Sequence, residues 1–340
     1  MTLSIVQSSH LDPDSIKATI KVSEAAAGHD LPGFPQLTER MAHGWHKYGW
    51  VGRRVEGYVA YLDGEPVARM ELNFPTLENL NNISVHIEVV PAMRRRGIGR
   101  ALYEKALERA RANDRGHLLT NTVWALPGIQ AHDGGAGPAF VQALGLQSAN
   151  LPEVMRRFDL STLDNAKLDA LLEAAKAKAS GYRLVQWKDT APEEYVDDIA
   201  YLDSRLIEDA PMGDVVMEPE KVDAQRVREI ERVAMARGRT SYHTGVVHEE
   251  SDALVAWTTL ATDDLDWHGW QQITIVEPRH RGHRLGALVK VENLRYFLAH
   301  EPSVRVIDTF NAAENSYMIS INEEMGFRPL FAFQNWQREL

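Results

Sequence analysis

The sequence predicts a duplicated α/β protein, two domains of one plan in which strands feed a glycine turn at the start of a helix. Three observations carry this. The stretch VVPAMRRRGIGRALYEK at 89–105 closes an apolar strand at Val90, turns at Pro91 and crosses an arginine cluster to Gly97 and Gly99. Ile98, Ala101, Leu102, Ala106 and Ala110 then recur at helical spacing. The stretch VEPRHRGHRLGALVKVE at 276–292 repeats it, with Pro278 187 residues after Pro91. Finally, the glycines of Gly145-Leu146 and Gly326-Phe327, each closing a short helix, lie 181 residues apart. Repeats this long indicate duplicated domains rather than a solenoid. The expected boundaries are 1–160 for the first domain, 161–180 for a connecting helix and 181–340 for the second domain.

The elements follow in order. Residues 3–7 form a first strand, and 13–27 and 38–47 form helices separated by Leu31-Pro32-Gly33. Strands at 58–62 and 67–74 flank Asp63-Gly64, a strong hairpin signal, and 83–90 runs into the glycine turn. After the helix come a strand at 118–125, a flexible turn at 132–137, a short helix at 139–144 and a last strand at 156–160. Residues 164–179, rich in alanine and lysine with Leu168, Leu171 and Leu172 on one side, make the connecting helix. The second half repeats the plan. A strand at 182–187 is followed by helices within 193–208 and 221–237, strands at 241–248, 254–260 and 271–276, and the second glycine turn.

Strand, basic glycine turn and helix together make a phosphate cradle. The first helical turn leaves backbone N–H groups unpaired, the helix dipole is positive there, and glycine lets an anion approach. In the alignment of the repeats, Arg281-Gly282-His283-Arg284-Leu285-Gly286 lies on Arg94-Arg95-Arg96-Gly97-Ile98-Gly99. The pattern R/Q-x-x-G-x-G/A resembles motif A of the GNAT acetyltransferases. The segment from Asp308 through Asn311 and Asn315 to Met325-Gly326-Phe327 resembles that family's closing strand–helix unit. Two such halves resemble the tandem members of the family, the type that includes mycothiol synthase.

The resemblance implies two GNAT domains, each a mixed, mostly antiparallel sheet flanked by helices. It implies acetyl-CoA as co-substrate and transfer of its acetyl group to the amine of a small acceptor, amino-sugar-like or peptidic. The other reading is a CoA-binding tandem protein acting as sensor or scaffold without transfer. The tandem would imitate the dimer of single-domain relatives, so a monomer is expected. The cofactor-binding residues implied are Val89, Val90, Arg94, Arg95, Arg96, Gly97, Ile98 and Gly99 in the first half. In the second they are Ile275, Val276, Arg281, Gly282, His283, Arg284, Leu285 and Gly286, with Asn311 and Asn315 on the pantetheine side.

Composition narrows the classes. A net charge of −11 argues against nucleic acid as a main partner and is compatible with a cationic amine. With no cysteine there is no disulfide, thiol nucleophile or thiolate metal site. No run reaches the ~20 apolar residues of a membrane helix, and the opening residues are not a signal peptide, so the cytoplasm is expected.

The chemistry asks for a base to take the amine's proton and a donor for the oxyanion. Glu88, on the strand before the turn, and His268, in a polar loop with Asp263, Asp264 and Asp266, are the candidate bases; the plainer readings are that Glu88 caps a polar edge of its strand and that His268 belongs to a solvated loop. The oxyanion donor is an amide of Val89 or Val90 in one half, and of Ile275 or Val276 in the other. The family's tyrosine acid, four residues before the GF glycine, is replaced by Asn322 and Val141, which leaves either Tyr317 as a substitute or a thiolate that departs unassisted. Asp209 to Asp214 could bind an ammonium group or cap a chain reversal. His280 and His283 stand among Arg279, Arg281 and Arg284, a setting that favours phosphate over a metal ion, so no metal is expected.

Overall fold

The computed structural model describes residues 2–129 and 136–340, and most of the turn expected at 132–137 lies outside them. The chain forms two compact units. Unit 1 gathers Met1–Glu153, Met212–Glu218 and Phe331–Leu340; unit 2 gathers Val154–Pro211 and Pro219–Leu330.

Unit 1 begins with β1 (Leu3–Ser8), α1 (Pro13–Asp30) and α2 (Glu39–Tyr48). Asp12 caps α1 ahead of a proline at its first position, and Thr38 Oγ1 caps α2 through the Met41 amide at 3.2 Å. Strands β2 (Arg53–Leu62) and β3 (Glu65–Pro75) form the expected hairpin, with Asp63 and Gly64 at φ of 50° and 90°. Then come β4 (Asn82–Val89), α3 (Ile98–Arg111), β5 (His117–Trp124), α4 (Ala136–Ala143) and β6 (Gln147–Asp159). Alternation gives the sheet two different faces. Ala68, Met70, Leu72, Phe74 and Val85 pack with Ile98, Leu102, Ala106 and Ala110 into the core beneath α3. The opposite face, toward α1 and α2, carries Arg69, Glu71 and Asn73 of β3 beside Glu88, His86 and Ser84 of β4.

Strand β4 is antiparallel to β3 along most of its length, Asn73↔Ser84 to Ala68↔Val89. Its parallel pairing with β5 covers only Asn82, Ile83 and Ser84. Beyond Ser84 the two strands part, leaving a V-shaped gap that opens toward the glycine turn.

Unit 2 follows the same plan with α5 (Asn165–Lys176), β7 (Tyr182–Lys188), α6 (Val196–Ser204), α7 (Leu206–Asp209), α8 (Ala224–Ala236), β8 (Thr240–His248), β9 (Ala253–Thr262), β10 (His268–Val276), α9 (Leu285–His300), β11 (Val306–Ala312) and α10 (Ser316–Met325). The helix expected within 193–208 is divided, a 3-10 turn and α6 coming before α7. Strand β10 pairs in parallel with β11 only from His268 to Trp270, so the gap recurs. Its ladder to β9 carries a bulge between Gln271 and Thr274 that β4 lacks.

One element was not expected. The strand β12 (Arg328–Glu339) comes last in the second half of the sequence, yet its residues from Phe331 onward belong to unit 1. There it pairs antiparallel with β5, Ala332↔Trp124 to Glu339↔His117. Trp336 Nε1 donates to Thr122 Oγ1 at 2.9 Å, and Arg338 donates to Leu144 O at 2.6 Å. Reciprocally, residues 154–159 of β6 lie in unit 2, where Arg157 donates to Asp308 from both Nε and Nη2, at 2.8 and 2.7 Å.

In the acidic turn Asp209–Asp214 both end carboxylates have partners within the protein. Asp209 pairs with Arg205 and Arg281, and Asp214 accepts from Asn150 Nδ2 at 2.5 Å. Between them Gly213, at φ 53° and itself part of unit 1, runs so close to 149–150 that a Cβ would lie 2.6 Å from the carbonyl oxygens of Ala149 and Asn150.

Candidate active site

In unit 1 the turn after β4 is a 3-10 turn at Pro91–Met93, then Arg94 to Gly97, with Gly97 as the residue before α3. Arg95 and Gly97 both take positive φ, 64° and 82°. The first helical bond runs from the Ala101 amide to Gly97 O at 3.0 Å, so the amides of Ile98, Gly99 and Arg100 precede the ladder. Gly97 faces open space, with no atom within 4 Å of where a Cβ would stand. Arg95, Arg96 and Arg100 are exposed. Open room, unpaired amides, a helix N-terminus and three exposed cations fit a pyrophosphate. Ile98 is buried and offers only its backbone, whereas Gly99 is a packing glycine: a Cβ there would meet the Phe140 ring at 3.1 Å.

Unit 2 builds the same turn from a different sequence. The two positive-φ positions are kept, but the residue types are exchanged. Gly282 (φ 90°) stands where Arg95 stands, and Arg284 (φ 56°) where Gly97 stands. The first helical bond, Leu288 amide to Arg284 O at 3.1 Å, is likewise retained. The backbone cradle therefore survives, with a long side chain at its lip. His283 is turned aside, its Nδ1 3.1 Å from Lys178 O, and Leu285 is core. Gly286 lets α10 approach: a Cβ there would lie 3.7 Å from the Tyr317 hydroxyl and from Val276 Cγ2.

Two expected phosphate ligands are committed elsewhere. Arg94 grips Asp30 at 2.9 and 2.5 Å and Val89 O at 3.2 Å, and Arg281 grips Asp209 at 2.9 Å and Val276 O at 3.3 Å. The strand donors are also reduced by half. The Val90 amide donates to Val67 O at 2.9 Å, which removes Val90 from the oxyanion candidates. Strand alternation then directs the amides of Val89, Ile87 and Val85 away from β3, into the gap beyond Ser84. In unit 2 the Glu277 amide donates to Val255 O at 2.8 Å, so alternation leaves Val276, and not Ile275, facing the gap.

The face of unit 1 under α1 and α2 carries a cluster of charged and titratable side chains. Glu88 lies directly across the ladder from Arg69 and is paired with its Nε; its other oxygen is 3.3 Å from His86 Nε2. Burial alone would raise the Glu88 carboxyl, but the Arg69 charge and the His86 contact carry it down to about 2. Glu88 is therefore a fixed carboxylate, too weak a base to take a proton from an ammonium ion itself. His86 is half exposed, with its Nε2 side toward the Glu88 carboxylate and Nδ1 on the other edge of the ring. Sequence reasoning missed His86. The signal was there, a histidine two residues before a glutamate on one face of the strand entering the cradle. His46 of α2 covers Gly57 in the adjoining row, where a Cβ would lie 2.2 Å from its Cε1; burial, with Arg69 next in effect, lowers its pKa.

The sequence model of the acetyltransferase (GNAT) family matches residues 26–126, which take in β4, the first cradle and α3. A tandem GNAT protein from the clavulanic acid biosynthesis pathway, solved without acetyl-CoA, superposes with a TM-score of 0.84 at 30% identity, over 99% of this chain and 98% of that one. The chain belongs to the GNAT acetyltransferase family. It is of the tandem type, and so an N-acetyltransferase by family. A GCN5-related N-acetyltransferase from Sphaerobacter thermophilus shares the fold at 13% identity and a TM-score of 0.65, over 98% of this chain and 95% of that one. No curated protein matches the chain. Among the described residues no helix is long and apolar enough to cross a membrane.

Within the GNAT plan the two units differ on the face opposite the cradle helix. Where unit 1 has Arg69, Glu71, Glu88 and His86, unit 2 has an apolar core of Trp187, Tyr195, Ile199, Trp257 and Ile275. His243 lies stacked on Trp187 at 5.1 Å, its Nδ1 accepts from Trp257 Nε1 at 3.1 Å, and burial pushes it down to about 3. It is an uncharged core histidine. His268 is not in a solvated loop, contrary to expectation. It opens β10, is buried, and places Nε2 2.8 Å from Asp308 Oδ2, a carboxylate already held by Arg157. That position is at the paired end of β10, away from the gap. Asn315 caps α10 through the Met318 amide, and Asn311 Oδ1 accepts from Asn322 Nδ2 at 2.7 Å. Asn322 and Val141, at the family's tyrosine position, are both buried.

Proposed function

We propose that the protein transfers an acetyl group from acetyl-CoA to the amine of a small acceptor, and that unit 1 carries out the transfer. One observation carries this reading: β4 joins an open phosphate cradle at its end to a half-exposed histidine beside a fixed carboxylate on its other face. The backbone at 95–100 and the side chains of Arg95, Arg96 and Arg100 would hold the diphosphate. The Ile87 and Val89 amides supply donors where negative charge develops on the acyl oxygen. Ile87 adjoins His86 in the chain, so donor and base flank one point. His86 Nδ1 takes a proton from the amine as nitrogen bonds to the acyl carbon and the carbon–sulfur bond breaks. Glu88, locked by Arg69, stabilises the imidazolium that results. Glu71 and Glu88 give the face an acidic character suited to an amino-sugar-like or peptidic amine. The tandem plan shared with the clavulanic acid pathway protein supports a small metabolite as acceptor. We place the reaction in the cytoplasm.

Thiol release from acetyl-CoA with a panel of amines tests transfer. His86→Gln should lower kcat/KM ~100-fold or more, the usual worth of a general base, and leave CoA affinity unchanged. An unaffected His86→Gln variant would remove the histidine from the mechanism. A second reading puts transfer in unit 2, because the Tyr317 hydroxyl reaches the second cradle; loss of activity in Tyr317→Phe alone would favour it.

A further inference from the structure

The arginine that opens the motif is the natural phosphate ligand by sequence, and in neither unit does it face the cradle. We propose that Arg94 is a positioning residue: it latches the end of α1 to the outer end of β4, holding the cradle in its binding shape and coupling it to the helix that covers the acceptor face. Both nitrogens of its fork meet Asp30, Nη1 on Oδ1 at 2.9 Å and Nη2 on Oδ2 at 2.5 Å, while Nε donates to Val89 O at 3.2 Å. Unit 2 repeats the arrangement from different surroundings, Arg281 Nη2 on Asp209 Oδ2 at 2.9 Å and Nε on Val276 O at 3.3 Å.

The carboxylates are the informative half. Asp30 is the last residue of α1 and Asp209 the last of α7. A negative charge there opposes the helix dipole, so a helix keeps it at a cost unless a cation offsets it. In unit 1 the motif arginine offsets it, with His29 Nδ1 also 2.9 Å from Asp30 Oδ1; in unit 2 Arg281 shares Asp209 with Arg205. A bidentate fork also fixes direction, which a single charge would not. The carbonyl that Arg94 holds belongs to Val89, whose amide faces the gap, so the latch orients the peptide units that line it.

The inference rests on reading the first turn as a CoA cradle, and the experiment separates the two. Calorimetry with CoA on the wild type, Arg94→Ala, Asp30→Ala and the double variant forms a cycle. The latch requires Asp30→Ala to weaken CoA about tenfold, as Arg94→Ala does, with the double variant no worse than the weaker single. A phosphate-binding Arg94 requires the opposite, since removing Asp30 frees the guanidinium and deletes a repelling charge. Unchanged or tighter binding by Asp30→Ala therefore overturns the latch. Asp30→Asn keeps the shape if the alanine variant fails to fold, and should show the same direction of change. Hydrogen exchange reads the coupling: CoA should slow amide exchange across 31–38 in the wild type and not in Asp30→Asn, and equal slowing in both overturns it. Wild-type protein that binds no CoA removes the cradle and the latch together, an outcome distinct from an indifferent Asp30 variant.

Discussion

Replacing Gly97 by arginine would give the first cradle the residue that the second already carries, and the structure allows the consequences for stability and binding to be separated. Gly97 sits at φ 82°, ψ −6°, with no atom within 4 Å of a Cβ position. The folded state therefore meets no clash, only the ~1 kcal/mol of a left-handed non-glycine residue. Arg284 already stands at φ 56° in the equivalent place. Melting should fall by only ~2–4 °C for a unit of this size. Binding should suffer more. The open side of Gly97 is the approach to the amides of Ile98 and Gly99, and a side chain there forces the phosphate away. Loss of one or two charge-assisted hydrogen bonds at ~1.5 kcal/mol each weakens CoA by roughly 10–150-fold. Calorimetry beside a thermal melt reads both quantities on one preparation. Arg284→Gly should leave affinity at the first cradle unchanged. If Gly97→Arg binds CoA normally and Arg284→Gly abolishes binding, the arginine is the phosphate ligand and unit 2 holds the coenzyme.

Two further predictions concern charges inside the units. Lys290 of α9 is buried 5.6 Å from the centre of the Phe327 ring, and desolvation pushes its ammonium down from 10.5 to about 7. The unfolded chain then binds more protons between pH 7 and about 10, so stability rises with pH across that window and the full penalty applies below it. Lys290→Met should stabilise by several kcal/mol at pH 6 and by little at pH 10 in urea titrations; a gain independent of pH would refute the assignment. Glu56 is buried, which would raise its carboxyl, yet hydrogen bonds from Arg109, Arg54 and Tyr58 bring it down to about 2. Its contribution is present above the unfolded value near 4.5 and is lost as pH falls toward 2. Because both arginines are partly exposed, we expect ~2 kcal/mol from this source, and Glu56→Gln should flatten acid unfolding over that range.

The parts of this protein legible in the sequence are those decided within one or two elements. The Asp63-Gly64 hairpin, the helical stripe after Gly97 and the repeat that doubles the cradle all follow from backbone preference and hydrophobic period, which act over a few residues. So does family membership, because the cradle needs its backbone shape in a fixed order along the chain. What the sequence left open depends on edges and registers. Strand β12 joins β5 in unit 1, and the indole of Trp336 bonds Thr122 214 positions away, because β5 leaves one edge unpaired and no local signal says which strand will cover it. The same holds for roles. Arg94 reads as a phosphate ligand until Asp30, 64 positions earlier, takes its guanidinium. Glu88 reads as a base until the register sets Arg69 across from it, which is why we propose His86 in its place. Residue type and spacing determined which groups the chain possesses. The tertiary structure decided which of them are already paired, since charge and hydrogen-bonding capacity spent on a neighbour are no longer available to a substrate.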